Sequence, residues 1–218
     1  MVARNAIYWE VDVQIDFMLP HGKLYVSEAE KIIPKLDRLV EAARQRGVLL
    51  VSSADAHNAD DPELREWPPH CLKGSPGAEL LSEARAPSRL VIPNEKEFLI
   101  PRDLTAYQQV TLLKNTLDVF DNPNTDVLLA KLNPGGAPAF DLEPEFVVFG
   151  VATEYCVRCT AAGLLRRNRR VAIVTDAIQA LDPEKGRVII EELQSRGARL
   201  ISTDQALSLI GPTNVSPA

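Results

Sequence analysis

The residues best suited to chemistry include two of the chain's three cysteines, both in the stretch GVATEYCVRCTA, Gly150 to Ala161. Four apolar residues before it, 146–149, predict a buried strand, and the stretch itself begins a segment of helical periodicity. Cys156 is therefore expected in the first turn of a helix. Free backbone N–H groups and the helix dipole stabilise a thiolate there, and the same groups can hold an oxyanion. A buried structural cysteine is the alternative, and position alone leaves both open.

The spacing of Cys156 and Cys159 is C-x-x-C, a motif that can be redox-active or bind zinc. A zinc site of this kind needs a second pair, but the third cysteine, Cys71, stands alone. Redox proteins carry the motif early in a smaller fold than this one. In a helix Cys159 would lie one turn further on and face inward, so a redox pair is the less favoured interpretation of this motif.

A second group of candidate residues lies in the polar loop after the strand predicted at 48–51. Two of the three histidines, His57 and His70, are there with Asp55 and Glu63 in the pattern D-x-H-x5-E-x6-H. Mixed oxygen and nitrogen ligands suit zinc, and also iron(II) or manganese. The loop carries three further acidic residues, so a solvated acidic loop is the alternative, and spacing alone does not decide.

A nucleophilic thiol needs a base. With the two loop histidines engaged, that base is a carboxylate or a lysine. Asp12 ends the first predicted strand, and Lys114 ends a later one. A buried carboxylate beside a lysine can take a thiol proton when burial raises its pKa. Taken singly, Asp12 is better explained as a strand-end cap and Lys114 as a surface charge.

The elements that must position these residues alternate along the chain. Amphipathic stretches of helical period separate short apolar runs at 6–13, 48–51, 90–92, 110–113, 146–149, 171–174 and 199–202. This pattern predicts an α/β fold, three-layer αβα and doubly wound, with a mainly parallel sheet of about six strands. Ligands bind at the carboxyl ends of the strands in such folds. We expect one domain over residues 1–218, with 212–218 as a flexible tail.

Charge and composition exclude several classes of partner. The net charge of −6 argues against nucleic acid, which requires a positive surface. No apolar run approaches the roughly 20 residues of a membrane span, and no signal peptide is expected at the start. Three cysteines, an odd and low number, favour a reducing cytoplasm over a disulfide framework.

Together these motifs resemble the nicotinamidase and isochorismatase-like cysteine hydrolase family over about residues 6–210. The resemblance is carried by V-D-V-Q-I-D-F (11–17), D-A-H (55–57), W-P-P-H (67–70) followed by K-G-S-P-G-A, Lys114, and G-V-A-T-E-Y-C-V (150–157). Its D-x-H and W-P-P-H segments are similar to those of metal-containing nicotinamidases. Two departures are Ile15, where members commonly have Asn, and Glu10, where they have an apolar residue.

The resemblance implies a catalytic triad of Asp12, Lys114 and Cys156, in which Asp12 takes the thiol proton and Cys156 forms a thioester. Lys96 is the alternative lysine. The backbone N–H groups of Ala152 and Cys156 would form the oxyanion hole, and the bond before Ala152 would be cis.

The resemblance also implies one divalent metal, with zinc first and iron or manganese as alternatives. Its ligands would be Asp55, His57, Glu63 and His70, and the metal would bind the pyridine nitrogen of the substrate. Phe17 and Trp67 would line the ring pocket.

The implied activity is hydrolysis of nicotinamide to nicotinate and ammonia within NAD salvage, by a cytoplasmic protein. The partner is a small carboxamide, with no nucleic acid or membrane, and members often form homo-oligomers. An amidohydrolase acting on another small carboxamide is the first alternative, because a triad does not determine the substrate. A non-catalytic or redox protein using the C-x-x-C pair is the second.

Overall fold

The computed structural model describes residues 6–132 and 144–210. Within them, seven strands form one sheet: β1 (Ala6–Val11), β2 (Leu50–Asp55), β3 (Arg89–Ile92), β4 (Gln109–Lys114), β5 (Glu145–Val151), β6 (Val171–Gln179) and β7 (Arg199–Ile201). The strand order is β3-β4-β2-β1-β5-β6-β7, and every pairing is parallel. The predicted fold class is confirmed, with one strand more than the expected six. The predicted tail at 212–218 lies outside the described residues.

Helices cover both faces of this sheet: α1 (Ile15–Met18), α2 (Ile33–Arg46), α3 (Thr125–Leu132), α4 (Arg158–Arg166), α5 (Pro183–Ser195) and α6 (Thr203–Leu209). Alternate β1 residues enter two separate apolar clusters, Tyr8 on one face and Ile7 and Trp9 on the other. The first cluster contains α2 and α6 residues, and the second contains α3, α4 and α5 residues. The chain therefore has the three expected layers. No helix in the described ranges is long and apolar enough to cross a membrane.

The sheet topology brings the candidate catalytic residues to one edge. Strands β4, β2, β1 and β5 are consecutive neighbours, and their carboxyl ends all face the same way because they are parallel. Asp12 follows β1, Asp55 and Lys114 are paired at the ends of β2 and β4, and Cys156 follows β5. The chain order reverses between β1 and β5, which is where such folds bind ligands.

Three backbone features shape this edge of the sheet. Gly150 has φ 116°, and a Cβ there would lie 2.1 Å from the Val11 carbonyl oxygen, so only glycine lets β5 approach β1 so closely. The Val151–Ala152 bond is cis, as expected from the resemblance. Asp12 has a left-handed φ of 51°, a conformation that is uncommon for residues other than glycine. The alternation of side chains between the two faces of the sheet therefore ends at this residue.

Glu10 is fully buried at the centre of the sheet. Its Oε2 accepts hydrogen bonds from Ser52 Oγ at 2.8 Å and Gln109 Nε2 at 3.3 Å, while its Oε1 has no hydrogen-bond partner among the described residues. Burial raises the pKa of this carboxyl to about 8, although Ser52 and Arg89 act in the opposite direction. Glu10 is therefore protonated in the folded protein at neutral pH, which explains how an acid is tolerated in this strand.

This buried acid makes stability depend on pH. In the unfolded chain Glu10 ionises at its ordinary pKa, so between about pH 5 and pH 8 the folded protein holds one proton more than the unfolded chain. The free energy of unfolding should then fall as pH rises, by up to about 1.4 kcal/mol per pH unit. We expect Glu10→Gln to remove this slope and to be more stable than the wild type near pH 8, as measured by urea unfolding.

The exposed Glu83→Gln serves as the matched control for this measurement, because it should show the wild-type pH dependence. Equal slopes in Glu10→Gln and the wild type would mean that Glu10 is ionised in the folded protein.

Candidate active site

The nucleophile candidate lies in a π-helical turn. The predicted helix at about 153–167 is present, but its first turn, Thr153–Val157, is π-helical, and α4 begins only at Arg158. The N–H groups of Tyr155 and Val157 both donate to the Ala152 carbonyl, at 3.1 and 3.2 Å, and so close this turn directly after β5. The turn leaves Cys156 only 5% exposed at the carboxyl edge of the sheet.

Lys114 lies at the centre of a buried polar cluster. Its Nζ is 2.9 Å from Asp12 Oδ2, donates to Asp55 Oδ1, and lies 3.5 Å from Cys156 Sγ. The structure thus brings together the three residues predicted as a triad, all of them buried. The alternative lysine, Lys96, is exposed in the loop after β3 and has no part in this cluster.

The charges of this cluster follow from burial and from the ion pairs. Burial alone would lower the pKa of Lys114, but Asp12, Asp55 and Cys156 raise it well above its usual range, so Lys114 is a cation. Burial raises the pKa of the Asp12 carboxyl, with Lys114 acting against this rise. Asp12 is therefore a stronger proton acceptor than an ordinary aspartate.

Burial also raises the pKa of the Cys156 thiol well above its usual range, although the Lys114 ammonium opposes the shift. Desolvation therefore acts against the thiolate that the start of a helix was predicted to stabilise, and the Lys114 charge acts in its favour. The proton stays on sulfur until a base removes it. Asp12, buried beside Lys114, is the candidate for that base.

The four predicted metal ligands converge beside this cluster. Single ligand atoms of Asp55, His57, Glu63 and His70 all lie within 4.8 Å of one another. Asp55 Oδ2 is 3.6 Å from His57 Nε2 and 3.4 Å from His70 Nε2, while Glu63 is contributed by a 3-10 turn, Pro62–Arg65. Two imidazoles and two carboxylates form a donor set suited to zinc, iron(II) or manganese.

The surroundings of the two imidazoles support this assignment. His70 Nδ1 is 2.8 Å from the Pro68 carbonyl oxygen, which favours the proton on Nδ1 and leaves Nε2 free to bind. His57 is completely buried, yet neither of its ring nitrogens makes a hydrogen bond to any described residue. Its Nδ1 is 3.4 Å from Asp61 Oδ2, a residue that sequence analysis did not single out. A buried imidazole with no hydrogen bond fits a divalent metal at this position.

Asp55 belongs to both clusters. Burial alone would raise the pKa of its carboxyl, but Lys114 and the contacts with His57 and His70 hold it well below its usual range. Its backbone is fixed by Gln14, whose Oε1 accepts from Asp55 N at 2.7 Å and whose Nε2 donates to Asp55 O at 2.8 Å. Sequence analysis missed this role of Gln14. The only signal was a polar residue within V-D-V-Q-I-D-F.

Asp16, a second buried acid near the site, supports the loop that carries His70. Its Oδ2 accepts from the Cys71 N–H at 2.7 Å and its Oδ1 from the Lys23 N–H at 3.0 Å. A Cβ at Gly77 would lie 2.2 Å from Asp16 Oδ2, so this loop packs directly against the carboxylate.

A pocket with about 360 Å³ of empty space, including its open mouth, leads to Cys156 and to the metal-ligand candidates. Phe17 and Trp67 line it as predicted. The Trp67 and Tyr155 rings make an edge contact at 5.1 Å between centroids, and Phe17 contacts the His70 ring at 5.2 Å. The rest of the apolar wall was not predicted from the sequence: Leu24, Val26, Leu117, Val151, Tyr155 and Leu181. The apolar lining suits a small, flat substrate.

A model of the isochorismatase domain family matches residues 10–98 and 83–205 of this chain. The nicotinamidase of Escherichia coli is 23% identical, and the alignment covers 87% of this chain and 91% of that protein. A protein of Arabidopsis thaliana named "probable inactive nicotinamidase" is 25% identical, with 90% and 91% covered. The solved pyrazinamidase of Pyrococcus horikoshii in complex with zinc is 29% identical, with a TM-score of 0.68 and 91% and 99% covered.

Removal of one imidazole should weaken metal binding. We expect His57→Ala to lower the affinity for zinc by at least about 100-fold, because loss of a ligand exceeds the effect of losing a supporting hydrogen bond. The measurement is metal content after dialysis, together with zinc titration of the metal-free protein. His21→Ala, which changes an exposed histidine, is the control and should bind metal like the wild type. Undiminished metal content in His57→Ala would contradict the proposed ligand set.

Proposed function

This chain belongs to the isochorismatase domain family, and we propose that within it the protein is a nicotinamidase that hydrolyses nicotinamide to nicotinate and ammonia. The observation that carries the proposal is one pocket lined by Asp12 and Cys156, with Lys114 directly behind them, and by metal-ligand candidates. The cysteine cluster suits attack on a carboxamide carbon. The metal-ligand group suits capture of a ring nitrogen beside it.

The first step is attack by Cys156 Sγ on the carboxamide carbon. A carbon–sulfur bond forms, the thiol proton moves to Asp12, and the carbonyl oxygen becomes an oxyanion. The raised pKa of Asp12 suits it to this role, and the Lys114 cation stabilises the charges that shift between carboxylate and sulfur. The N–H groups of Ala152 and Cys156 are proposed to hold the oxyanion.

The second step releases ammonia. Asp12 returns its proton to the amide nitrogen, the carbon–nitrogen bond breaks, and a thioester with Cys156 remains. Water then attacks the thioester carbon while Asp12 accepts a proton from it. The carbon–sulfur bond breaks, nicotinate leaves, and the proton returns to sulfur, so that the free thiol is restored.

Binding of the ring is assigned to the aromatic side chains and the metal-ligand group. Phe17 and Trp67 pack against the faces and edges of a planar ring in the apolar part of the pocket. Asp55, His57, Glu63 and His70 would hold one divalent metal, zinc first among the candidates, which would supply a Lewis acid for the pyridine nitrogen of the substrate. The carboxamide group is then directed towards Cys156.

The proposal places the protein in NAD salvage and in the cytoplasm. Another small carboxamide held by the same three residues is the alternative substrate, since the triad alone does not select the ring. The similarity to an Arabidopsis protein named as inactive makes a direct assay of turnover the first test of the proposal.

Ammonia release from nicotinamide by the purified, metal-loaded protein is that assay. We expect Cys156→Ala to remove turnover completely, because no other group can form the thioester, while its fold and metal content remain. Cys159→Ala is the matched control, since Cys159 lies outside the pocket and should leave turnover close to the wild type. Full turnover in Cys156→Ala would refute the mechanism. A wild type that binds metal but releases no ammonia would favour another carboxamide.

Loss of the base should slow the chemical step. We expect Asp12→Asn to lower kcat by about 10²- to 10⁴-fold with an unchanged metal content, because an amide cannot accept the thiol proton. Single-turnover kinetics measure this step directly. Asp37→Asn, at an exposed position of α2, is the control and should match the wild type. A kcat within a few-fold of the wild type in Asp12→Asn would assign the base to another group.

A further inference from the structure

Glu154 is a nearly buried acid that the mechanism above does not use. It lies two residues before Cys156 in the π-helical turn and is 7% exposed. Its Oε1 accepts a hydrogen bond from the Asp182 backbone N–H at 2.7 Å, and its Oε2 accepts one from the Leu181 N–H at 3.2 Å. Both carboxylate oxygens therefore hold the backbone of the connection between β6 and α5.

That connection forms part of the active-site pocket and also starts a helix. Leu181 lines the same pocket as Cys156. Asp182 is the N-cap of α5, and its side chain accepts from the Glu184 and Lys185 N–H groups at 3.1 and 3.2 Å. The backbone held by Glu154 thus links the pocket wall to the first turn of α5.

We propose that Glu154 is a positioning residue that fixes the Leu181 wall of the pocket relative to the nucleophile turn and thereby sets the affinity for the substrate ring. A carboxylate is required because it offers two acceptor oxygens to two converging N–H donors. An amide at this position offers one acceptor and turns a donor towards the other N–H. The effect on substrate affinity rests on the proposed function, whereas the effect on the position of the Leu181 backbone does not.

Glu154→Gln tests the inference with almost no change in volume. Hydrogen exchange at the Leu181 and Asp182 amides should become faster by about tenfold, because one of the two N–H groups loses its charged acceptor. Alkylation of Cys156 by iodoacetamide, followed by peptide mass spectrometry, should also become faster as the wall loosens. Both measurements are made on the full chain and need no turnover.

In the ammonia assay, Glu154→Gln should raise KM for nicotinamide by about tenfold and leave kcat within about twofold, because the wall contacts ring and transition state alike. Glu191→Gln, at an exposed position of α5, is the matched control and should behave as the wild type in all three measurements. The metal content of both variants should be unchanged.

Exchange at the two amides equal to the wild type would overturn the inference, as would a lower kcat with an unchanged KM. Failure of the proposed function is distinguishable: the wild type would then release no ammonia. In that event faster exchange and faster Cys156 alkylation in Glu154→Gln would still support the positioning role, and unchanged rates would overturn it.

Discussion

The site depends on the ion pairs that the buried ammonium group of Lys114 makes. A lone charge at this depth would be strongly unfavourable, and the structure offsets it with the carboxylates of Asp12 and Asp55. Removal of the ammonium from such a group costs about 3–5 kcal/mol, because it leaves buried carboxylates without a counter-charge. This constraint ties the ends of β1, β2 and β4 together and leaves Cys156 as the fourth member of the cluster, 3.5 Å from the same nitrogen.

Asp55 makes the two halves of the site interdependent. One of its oxygens contacts Lys114 and the other faces His57 and His70, so the carboxylate next to the cysteine cluster is also a metal-ligand candidate. Gln14 holds its backbone on both sides. Metal-ligand candidates and nucleophile are therefore linked by one set of contacts, from His57 and His70 through Asp55 to Lys114 and Cys156.

Backbone exceptions allow this convergence in an otherwise regular parallel sheet. The left-handed conformation of Asp12 ends the strand alternation, and the side chain contacts Lys114. Gly150 lets β5 lie against β1 where a side chain would clash. The π-helical turn then places Cys156 at the cluster and Glu154 against the β6–α5 connection. The regular strands form the scaffold, and the candidate catalytic residues lie where the regular strand geometry ends.

Sequence alone determined the layered α/β fold, since strand and helix periods reflect which residues can be buried on each face. It also singled out Asp12, Lys114, Cys156 and the D-x-H-x5-E-x6-H group as candidates, because all of them follow predicted strands of one parallel sheet. Their roles came from the resemblance to the cysteine hydrolase family and not from these positions. Sequence alone could not supply the burial of Cys156, the contacts of Gln14 with Asp55 and of Asp61 with His57, or the wall around Leu181. Those depend on burial and on contacts between distant segments, such as Gln14 with Asp55 and Glu154 with Leu181. Only the tertiary structure decides them, because desolvation and hydrogen-bond geometry exist only once the chain has folded.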